Sequence, residues 1–337
     1  MTYIAAAPVF RGDGRIEFQE RQYADPAAGQ LLLRVGANAI CGTDRAQYFG
    51  GSTIVPGHEA AGTVIAAGSA TATPVGTRGV VFLMDYCAEC RSCVAGATNQ
   101  CLAKRADMGF THDGGYGPYE LVHESNFFPI PDDVSLTDAT MLLDVMGTSG
   151  HALRRAELVR RDIESIYIAG AGPIGLGILV MAKLRYGRDF PVHISDVSPW
   201  RREYAESFGG IPLDATDDSA LRSIRPDVAF DSSGKEVARR AALDIIGQRG
   251  ALVCVGHGEG LTIDVTNDLL TPEGAVLGSE YFAFDEFDDN LRLLRENREY
   301  VTRVISHRLP VEQLGVAFEL FLEGKTGKVV ITQEDPL

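Results

Sequence analysis

The sequence predicts an α/β protein in two parts, a β-rich N-terminal half followed by a doubly wound parallel sheet. The length of 337 residues, with 45% hydrophobic and 23% charged residues, fits about two globular domains. Apolar strands that alternate with helical segments after residue 165 predict the parallel sheet. Short apolar segments joined by glycine and proline turns predict the β-rich half: LLLRVGANAI, AAGTVIAAG, RGVVFLM and YELVHE.

Three segments follow from this division. We expect the β-rich domain at residues 1–145, the doubly wound domain at 146–283 and a C-terminal segment at 284–337. Within the doubly wound domain, further strands are predicted in DVAFDSSG, GALVCVGHGEG and AVLGSEYF, with a helix in KEVARRAALDIIG. The C-terminal segment starts acidic with FDEFDDN, is predicted to be helical through LRLLRENREYVTRVI and ends in the strand-like TGKVVIT.

Charge and the N-terminal residues restrict the partners and the compartment. The formal net charge of -15 disfavours nucleic acids and anionic membranes, because both require a basic surface. A small-molecule substrate is therefore expected. The N-terminal MTYIAAAPVF lacks the basic lead of a secretory signal, so we expect a cytoplasmic protein with reduced thiols.

One uncharged stretch, SIYIAGAGPIGLGILVMA at residues 165–182, is nearly long enough to cross a bilayer. Its glycines and proline separate a β-branched run from a run with helical character. The stretch is therefore interpreted as strand, tight turn and helix, with a membrane helix as the alternative.

Four of the six cysteines lie close together, with the spacing Cys87-x2-Cys90-x2-Cys93-x7-Cys101. This spacing is suited to a tetrahedral zinc site. Disulfides are the first alternative, and a reducing compartment argues against them. Iron–sulfur ligation is the second, and the seven-residue spacer followed by Leu102 differs from the ferredoxin pattern. Four protein ligands leave no position for substrate, so this zinc is expected to be structural.

A second candidate metal site combines Cys41 in CGTD with His58 in PGHEAAG. A histidine alone is more often a hydrogen-bonded structural residue, but each ligand here has a neighbouring glycine that permits close backbone approach. Asp44 is expected to accept a hydrogen bond from the imidazole, and Glu59 is expected to steady the site.

Asp144 is the candidate for a third ligand of this site. It is the acid in an otherwise uncharged run, residues 139–150, where an unpaired carboxylate would be costly to bury. The alternative is a helix-capping aspartate. Cys254 lies in the strand-like ALVCVG and is not expected to bind metal.

The stretch GAGPIG matches G-x-G-x-x-G with Gly170, Gly172 and Gly175, and the predicted helix LGILVMAKLRYG follows it. Such glycines let the backbone approach a pyrophosphate, and the helix N-terminus offers free N–H groups to that anion. The motif follows a predicted strand and therefore predicts a dinucleotide site.

The acid that ends PVHISD, Asp196, predicts which dinucleotide binds. A carboxylate at this position hydrogen-bonds a ribose 2′-hydroxyl and repels a 2′-phosphate, which favours NAD over NADP. Arg201 and Arg202 weaken this preference, because an arginine is the group that accommodates the 2′-phosphate.

Taken together in this order, the motifs resemble those of medium-chain, zinc-dependent alcohol and polyol dehydrogenases of the sorbitol, threonine and glucose dehydrogenase type. The resemblance covers essentially the whole chain and is carried by CGTD, GHEAAG, the four-cysteine loop, DGGYGPYELV, GAGPIG, the acid after the second strand and GKVVIT. It implies a GroES-like catalytic domain, a Rossmann domain that binds NAD, and a C-terminal segment that returns to the catalytic domain. It also implies a homodimer or homotetramer.

The resemblance also implies roles for individual residues. Cys41 and His58 match catalytic zinc ligands, and Asp144 lies where polyol-type members have glutamate and simple alcohol dehydrogenases have cysteine. Aspartate is one methylene shorter than glutamate, so three outcomes stay open. The backbone lies closer to the zinc, a water bridges the gap, or this ligand is lost. Thr43 matches the hydroxyl that takes the proton of the substrate.

Some family features differ here. Asp44 and Glu59 match acids that surround the zinc, but Ala46 stands where the proton relay often continues to a histidine. The proton exit route is thus left open. The segment between Cys41 and His58 is also short, which is expected to reshape one wall of the pocket.

By the same resemblance, zinc acts as a Lewis acid on a substrate hydroxyl and hydride passes to NAD. The expected cofactor-binding residues are Gly170, Gly172, Pro173, Ile174, Gly175, Asp196, Arg201, Val255 and Lys328, with Lys328 reaching the pyrophosphate. The expected pocket residues are Leu83, Asp85, Phe110 and His257.

The expected substrate is a secondary alcohol or ketone of a sugar, polyol or amino alcohol, since Asp85 and His257 are polar. A simple apolar alcohol is the second choice. Two other classes stay open, a catalytically silent binding module and a zinc-free quinone or enoyl reductase. Cys41, His58 and Glu59 argue against the reductase, which has no use for metal ligands.

Overall fold

The computed structural model describes residues 3–333 and contains two compact units. The first unit comprises the chain up to Leu143, Ala283–Glu323 and the chain from Lys328 onward. The second unit comprises Asp144–Phe282 and Gly324–Gly327. The C-terminal segment thus belongs mostly to the first unit.

The strands alternate with mostly short helices. In chain order the strands are β1 Tyr3–Gly12, β2 Arg15–Tyr23, β3 Gln30–Ala39, β4 Ala60–Ala67, β5 Arg78–Val81, β6 Met84–Asp85, β7 Ala106–Asp107, β8 Tyr119–His123, β9 Phe127–Pro129, β10 Ile166–Ala169, β11 Val192–Asp196, β12 Ile211–Asp214, β13 Val228–Asp231, β14 Ala251–Cys254, β15 Ala275–Gly278, β16 Ile305–Pro310 and β17 Lys328–Thr332. The α-helices are α1 Arg45–Gly50, α2 Arg91–Val94, α3 Leu136–Ala139, α4 Ser149–Glu157, α5 Pro173–Tyr186, α6 Pro199–Glu206, α7 Asp218–Arg222, α8 Glu236–Ile245, α9 Phe287–Glu296, α10 Arg298–Thr302 and α11 Leu314–Leu322.

The first unit is built on a seven-stranded sheet with the order β16-β17-β3-β4-β5-β9, in which β8 also pairs with β3. The partners of β3 are all antiparallel to it. Alternate residues of β3, Leu31, Leu33 and Val35, enter one buried cluster because side chains alternate between the faces of a strand. The predicted β-rich domain is confirmed.

The hairpin formed by β1 and β2 was not predicted from the sequence. β2 reads RIEFQERQY and is mostly exposed, so it carries no run of apolar residues. Its pairing with β1 over nine residue pairs decides its conformation instead.

The second unit contains a six-stranded parallel sheet with the order β12-β11-β10-β13-β14-β15. This order reverses direction at β10, which is the strand order of a doubly wound dinucleotide-binding sheet. The prediction of this architecture is confirmed. The strands predicted in DVAFDSSG, GALVCVGHGEG and AVLGSEYF are shorter than those sequences and end at Asp231, Cys254 and Gly278.

Helix α5 follows β10 and the glycine turn, as the sequence analysis predicts for residues 165–182. Among residues 3–333, no helix is long and apolar enough to cross a membrane. The strand–turn–helix interpretation is therefore confirmed for this stretch.

In the C-terminal segment, the helix predicted over LRLLRENREYVTRVI is divided into α9 and α10. Asn297 separates them with φ -130° and ψ 28°, outside the helical region. The chain then continues into β16, which was not predicted, and the predicted strand in TGKVVIT is present as β17.

Candidate active site and metal centres

The four cysteines of the loop at residues 87–101 converge on one point. The Sγ atoms of Cys90 and Cys93 are 3.5 Å apart, as are those of Cys87 and Cys101, and those of Cys87 and Cys93 are 4.0 Å apart. A tetrahedral ion with Zn–S bonds of about 2.3 Å places its sulfur atoms about 3.8 Å apart. The spacing of the thiols therefore fits a zinc ion with four cysteine ligands.

Backbone N–H groups surround the same sulfurs. Cys90 donates to Cys87 Sγ at 3.3 Å, and Leu102 donates to Cys90 Sγ at 3.4 Å. Amide donors from Cys93 and Leu102 lower the pKa of the Cys90 thiol to about 6. Because metals bind the thiolate, this lowering favours ligation.

Contacts with the C-terminal segment fix the cysteine loop to the first unit. The Phe284 amide donates to Thr98 Oγ1 at 2.8 Å, and the rings of Phe284 and Tyr86 lie 5.6 Å apart. The loop has few buried apolar residues of its own. Cross-links through a metal would therefore supply much of its stability.

The second metal-ligating group is buried. Ligand atoms of Cys41, His58, Glu59 and Asp144 all lie within 4.8 Å of one another, and none of the four residues is more than 8% exposed. Asp144 directly follows Leu143 in the chain and accepts a hydrogen bond from Thr148 Oγ1 at 3.3 Å. Sulfur, imidazole and carboxylate together form a donor set that zinc prefers.

Asp44 organises the two ligands of the first unit. One carboxylate oxygen lies 3.2 Å from His58 Nδ1, and the other accepts from the Cys41 amide at 3.0 Å. Because Nδ1 faces a carboxylate, Nε2 is the nitrogen left to bind metal. Asp44 thus lies where a carboxylate can orient the imidazole.

Tyr116 is a residue of this site that the sequence analysis missed. Its hydroxyl donates to Asp44 Oδ2 at 2.7 Å, and its side chain is fully buried. Burial, followed by the charge of Asp44, raises the pKa of Tyr116, so the hydroxyl stays protonated and donates. In the sequence, the only indication of a role for Tyr116 is its position in the family motif DGGYGPYELV. That position does not indicate that Asp44 is its hydrogen-bond partner.

Gly57 places His58. Its φ of +100° lies in the left-handed region, and a Cβ there would come within 2.8 Å of both Asn38 Nδ2 and the Tyr116 amide nitrogen. Only glycine combines this conformation with this close approach. The neighbouring Glu59 amide donates to Asn38 Oδ1 at 3.0 Å, which holds the turn against β3.

The position of Lys328 differs from the sequence-based interpretation. Its ammonium group is paired with the carboxylate of Glu59, and both side chains are fully buried. Lys328 belongs to β17, in the same unit as Glu59. A buried ammonium held by a carboxylate is not available for a pyrophosphate. The structure therefore places Lys328 beside the metal-ligating group instead of in the cofactor role that the sequence analysis expected.

Thr43 lies between Cys41 and Asp44 in the chain, in the one-turn 3-10 helix Gly42–Asp44. Its buried Oγ1 has no hydrogen-bond partner among residues 3–333. An orphaned hydroxyl is costly to bury and is therefore suited to a hydroxyl-bearing ligand. Ala46 is exposed on α1 and supplies no proton-transfer group.

The expected pocket residues have different surroundings. The ring of Phe110 lies 4.9 Å from the imidazole of His58, beside the metal-ligating group. Leu83 is half-buried in the first unit, whereas His257 is exposed in the loop after β14 of the second unit.

Asp85 does not offer a free carboxylate for a substrate. It is buried and accepts from Arg105 Nε at 3.0 Å. The charge of the arginine satisfies the acid within the protein, and the same guanidinium also donates to the Tyr86 carbonyl. The substrate role expected for Asp85 is therefore replaced by a structural role next to the cysteine loop.

The glycine turn of the second unit has the geometry required for a phosphate. Gly170 has φ +100°, and a Cβ on Gly175 would lie 1.9 Å from the Gly170 carbonyl oxygen. Gly172 caps α5 and Pro173 occupies its first turn, so the amide groups of the helix start are free of side chains. Ile174 follows within this first turn.

Asp196 ends β11 beside this turn. Its carboxylate accepts from the Ala171 amide at 2.9 Å and from the Ser198 amide at 2.8 Å. Arg201 Nη1 lies 3.7 Å from the same carboxylate and 3.8 Å from the position of a Cβ on Gly172. Val255 follows β14 and is buried.

Comparison with known proteins identifies the family. Residues 27–132 match the alcohol dehydrogenase GroES-like domain, and residues 173–296 match the zinc-binding dehydrogenase domain. An L-threonine 3-dehydrogenase of Rhizobium johnstonii is 30% identical over 322 residues, which cover 89% of this chain and 90% of the relative. This chain belongs to the zinc-binding alcohol dehydrogenase family. The predicted family and the predicted GroES-like and Rossmann fold class are thus confirmed.

Other members of the family are also similar to this dehydrogenase. An L-galactonate-5-dehydrogenase of Escherichia coli is 29% identical over 317 residues, with 90% of this chain and 91% of the relative covered. The crystal structure of 2R,3R-butanediol dehydrogenase from Bacillus subtilis superimposes with a TM-score of 0.85 at 23% identity, covering 99% of this chain and all of that chain. The structural match shows the shared fold. With both donor sets present, zinc and NAD(P) are the cofactors of this oxidoreductase.

Replacing Tyr116 by phenylalanine is expected to weaken metal binding at the Cys41 and His58 group. The ring still stacks on Phe10, but Asp44 loses the donor that fixes its carboxylate. Partners of this kind contribute about 10- to 100-fold to metal affinity. Competition with a chromogenic chelator measures the dissociation constant of zinc.

Tyr48→Phe is the matched control for Tyr116→Phe. Tyr48 lies in the same aromatic cluster, where its ring stacks on Phe318 at 4.5 Å, but within residues 3–333 its hydroxyl forms no hydrogen bond with the metal-ligating residues. It is expected to leave zinc affinity unchanged. Equal zinc affinity in Tyr116→Phe and the wild type would show that the Tyr116 hydroxyl does not support the site.

Proposed function

We propose that this dehydrogenase uses zinc and NAD to oxidise a secondary alcohol of a sugar, polyol or amino alcohol, or to reduce the corresponding ketone. The observation that carries the proposal is the convergence of Cys41, His58 and Asp144. Two residues after Cys41, the buried hydroxyl of Thr43 has no hydrogen-bond partner within residues 3–333. Such a site combines a Lewis acid with a group that moves a proton.

Each residue has a role in this proposal. Cys41, His58 and Asp144 hold the catalytic zinc, and Asp44 fixes the tautomer of the imidazole. When bound, zinc lowers the pKa of an alcohol and the nicotinamide ring supplies the hydride acceptor. Thr43 Oγ1 accepts the proton of the substrate hydroxyl and passes it outward.

The other metal-ligating group has a structural role in the proposal. Cys87, Cys90, Cys93 and Cys101 hold a second zinc, which stabilises the loop. Four protein ligands leave that ion no open position for chemistry.

NAD is the proposed dinucleotide. Asp196 ends β11 with a buried carboxylate, at the position where an acid hydrogen-bonds the ribose 2′-hydroxyl. A 2′-phosphate at the same place would meet the like charge of this carboxylate. The proposed setting is a cytoplasmic homodimer or homotetramer.

The substrate class is supported by the relatives. The names of two relatives refer to dehydrogenation of L-threonine at carbon 3 and of L-galactonate at carbon 5. In each of these molecules the named carbon carries a secondary hydroxyl with polar groups nearby. A hydroxyl-rich or amino-alcohol substrate is therefore preferred to a simple apolar alcohol.

The test is a screen of polyols, aldonates, amino alcohols and simple alcohols with NAD and with NADP, followed at the absorbance of reduced nicotinamide. We expect turnover of a polar secondary alcohol with NAD and loss of turnover in Thr43→Val. Turnover of simple alcohols alone would contradict the substrate class. Silence across the panel, with zinc only at the four cysteines, would favour a binding module on the same fold.

A further inference from the structure

Arg202, on α6 of the second unit, is held by three oxygen atoms. Its Nη2 lies 2.9 Å from Asp214 Oδ2, and its Nη1 donates to the carbonyls of Asp196 at 2.8 Å and Val197 at 3.2 Å. The side chain is 20% exposed. Both terminal nitrogens of the guanidinium are therefore engaged beside the end of β11.

Asp214 lies next to Asp196 in the sheet. It ends β12 and is in register with Asp196 at the end of the parallel strand β11. Thr216 donates to Asp214 Oδ1 through its amide at 2.9 Å and its hydroxyl at 2.7 Å. These hydrogen bonds, followed by the charge of Arg202, lower the pKa of Asp214, so the carboxylate is charged at neutral pH.

The second arginine of the pair has a different position. Arg201 Nη1 lies near Gly172 at the start of α5, and its guanidinium carbon is 3.9 Å from the position of a Cβ on Gly324. That location is beside the glycine turn, where a pyrophosphate binds in such sheets. Arg201 also lies 3.7 Å from the Asp196 carboxylate, but Arg202 is the arginine that donates to the main chain at the end of β11, where the 2′ position of the ribose is recognised.

We propose that Asp214 is a specificity-determining residue that disfavours NADP by holding Arg202 in an ion pair, so that the guanidinium of Arg202 is not available for a 2′-phosphate. This inference rests on the proposed function, because it assigns the dinucleotide preference of that same site. Asp196 repels the phosphate directly, and Asp214 removes the cation that would offset this repulsion. Both acids therefore favour NAD over NADP, Asp196 by repulsion and Asp214 by pairing with the arginine.

The proposal explains why arginines close to the dinucleotide motif do not indicate NADP here. An arginine contributes to phosphate binding only when its planar group can turn toward the anion. Arg202 would first have to give up Asp214 and two carbonyl oxygens. The number of arginines in RREYAE therefore does not decide the preference for NAD or NADP. The carboxylate that pairs with Arg202 decides it.

The experiment measures dissociation constants of NADH and NADPH with the zinc-loaded protein. The single tryptophan, Trp200, lies on α6 next to both arginines, and its fluorescence reports binding. In Asp214→Asn, the ratio of the NADPH constant to the NADH constant is expected to fall by about fivefold, the upper end of what an ion pair with a 41% exposed carboxylate contributes. The kcat/KM ratio for the two dinucleotides should shift in the same direction.

Two further variants separate the possible causes. Asp218→Asn removes an acid from the start of α7 that, within residues 3–333, forms no ion pair with Arg202, and it is expected to leave the ratio unchanged. In the double variant Asp214→Asn with Arg202→Gln, the gain for NADPH should disappear. A gain that persists in the double variant, or that Asp218→Asn reproduces, would attribute the effect to net charge and overturn the role of Arg202.

The outcomes also distinguish this inference from the proposed function. A wild-type protein that binds neither dinucleotide contradicts the proposed function itself. A wild-type protein that prefers NADH, together with an Asp214→Asn variant whose ratio stays within about twofold of it, contradicts only the specificity role of Asp214.

Discussion

Replacing Arg239 by methionine is expected to lower the free energy of unfolding by about 3–5 kcal/mol, because it leaves a buried carboxylate without its cation. Arg239 Nε lies 2.7 Å from Asp231 Oδ2, and the two side chains are 10% and 0% exposed. The guanidinium also donates to the carbonyls of Gly256 and Glu259. Urea unfolding followed by Trp200 fluorescence measures the loss.

The same ion pair supports the dinucleotide site. Asp231 Oδ1 accepts from the amides of Ser233 and Gly234, so the carboxylate holds the turn after β13. Because Arg239 connects this turn to the loop after β14, Arg239→Met should also raise the KM for NAD.

Arg240 provides a matched control on the same helix. It pairs with Asp244 and Asp268, but its side chain is 33% exposed. Arg240→Met is expected to cost less than about 1 kcal/mol, since water already screens these charges. Equal losses in the two variants would contradict the assignment of the Arg239 pair as a buried contact that stabilises the second unit.

Cys41→Ser and Cys93→Ser are expected to distinguish the roles of the two zinc ions. Cys41→Ser should lose one zinc and lower kcat/KM by at least about a thousandfold, since a Lewis acid contributes several kcal/mol to catalysis. Cys93→Ser should lose the other zinc and lower the free energy of unfolding by several kcal/mol, because a structural zinc contributes folding energy.

Metal content and unfolding are measured together on both variants. Each variant is the control for the other, because both lie in the first unit and exchange one sulfur for oxygen. A Cys41→Ser protein that keeps both zinc ions and full activity would contradict the catalytic assignment. A Cys93→Ser protein as stable as the wild type would contradict the structural one.

Patterns in short stretches of the sequence predicted most elements of the fold. The strand and helix after residue 165 were predictable because the glycines in GAGPIG are required by a turn that neighbouring residues make. The short strand β12 was missed, since IPLD carries a proline and lies partly exposed at the edge of its sheet. The mostly exposed strand β2 was missed because its partner β1 decides its conformation.

The sequence by itself determined the family motifs, the four-cysteine spacing and the dinucleotide turn, because each depends on residues close in the chain. The tertiary structure decided the partners of the buried charges. Tyr116 donates to Asp44 across 72 positions of the chain, and Lys328 meets Glu59 across 269. The spacing of residues in the sequence cannot predict such pairs, because they form only when distant segments of the chain pack together and a buried charge requires a partner there.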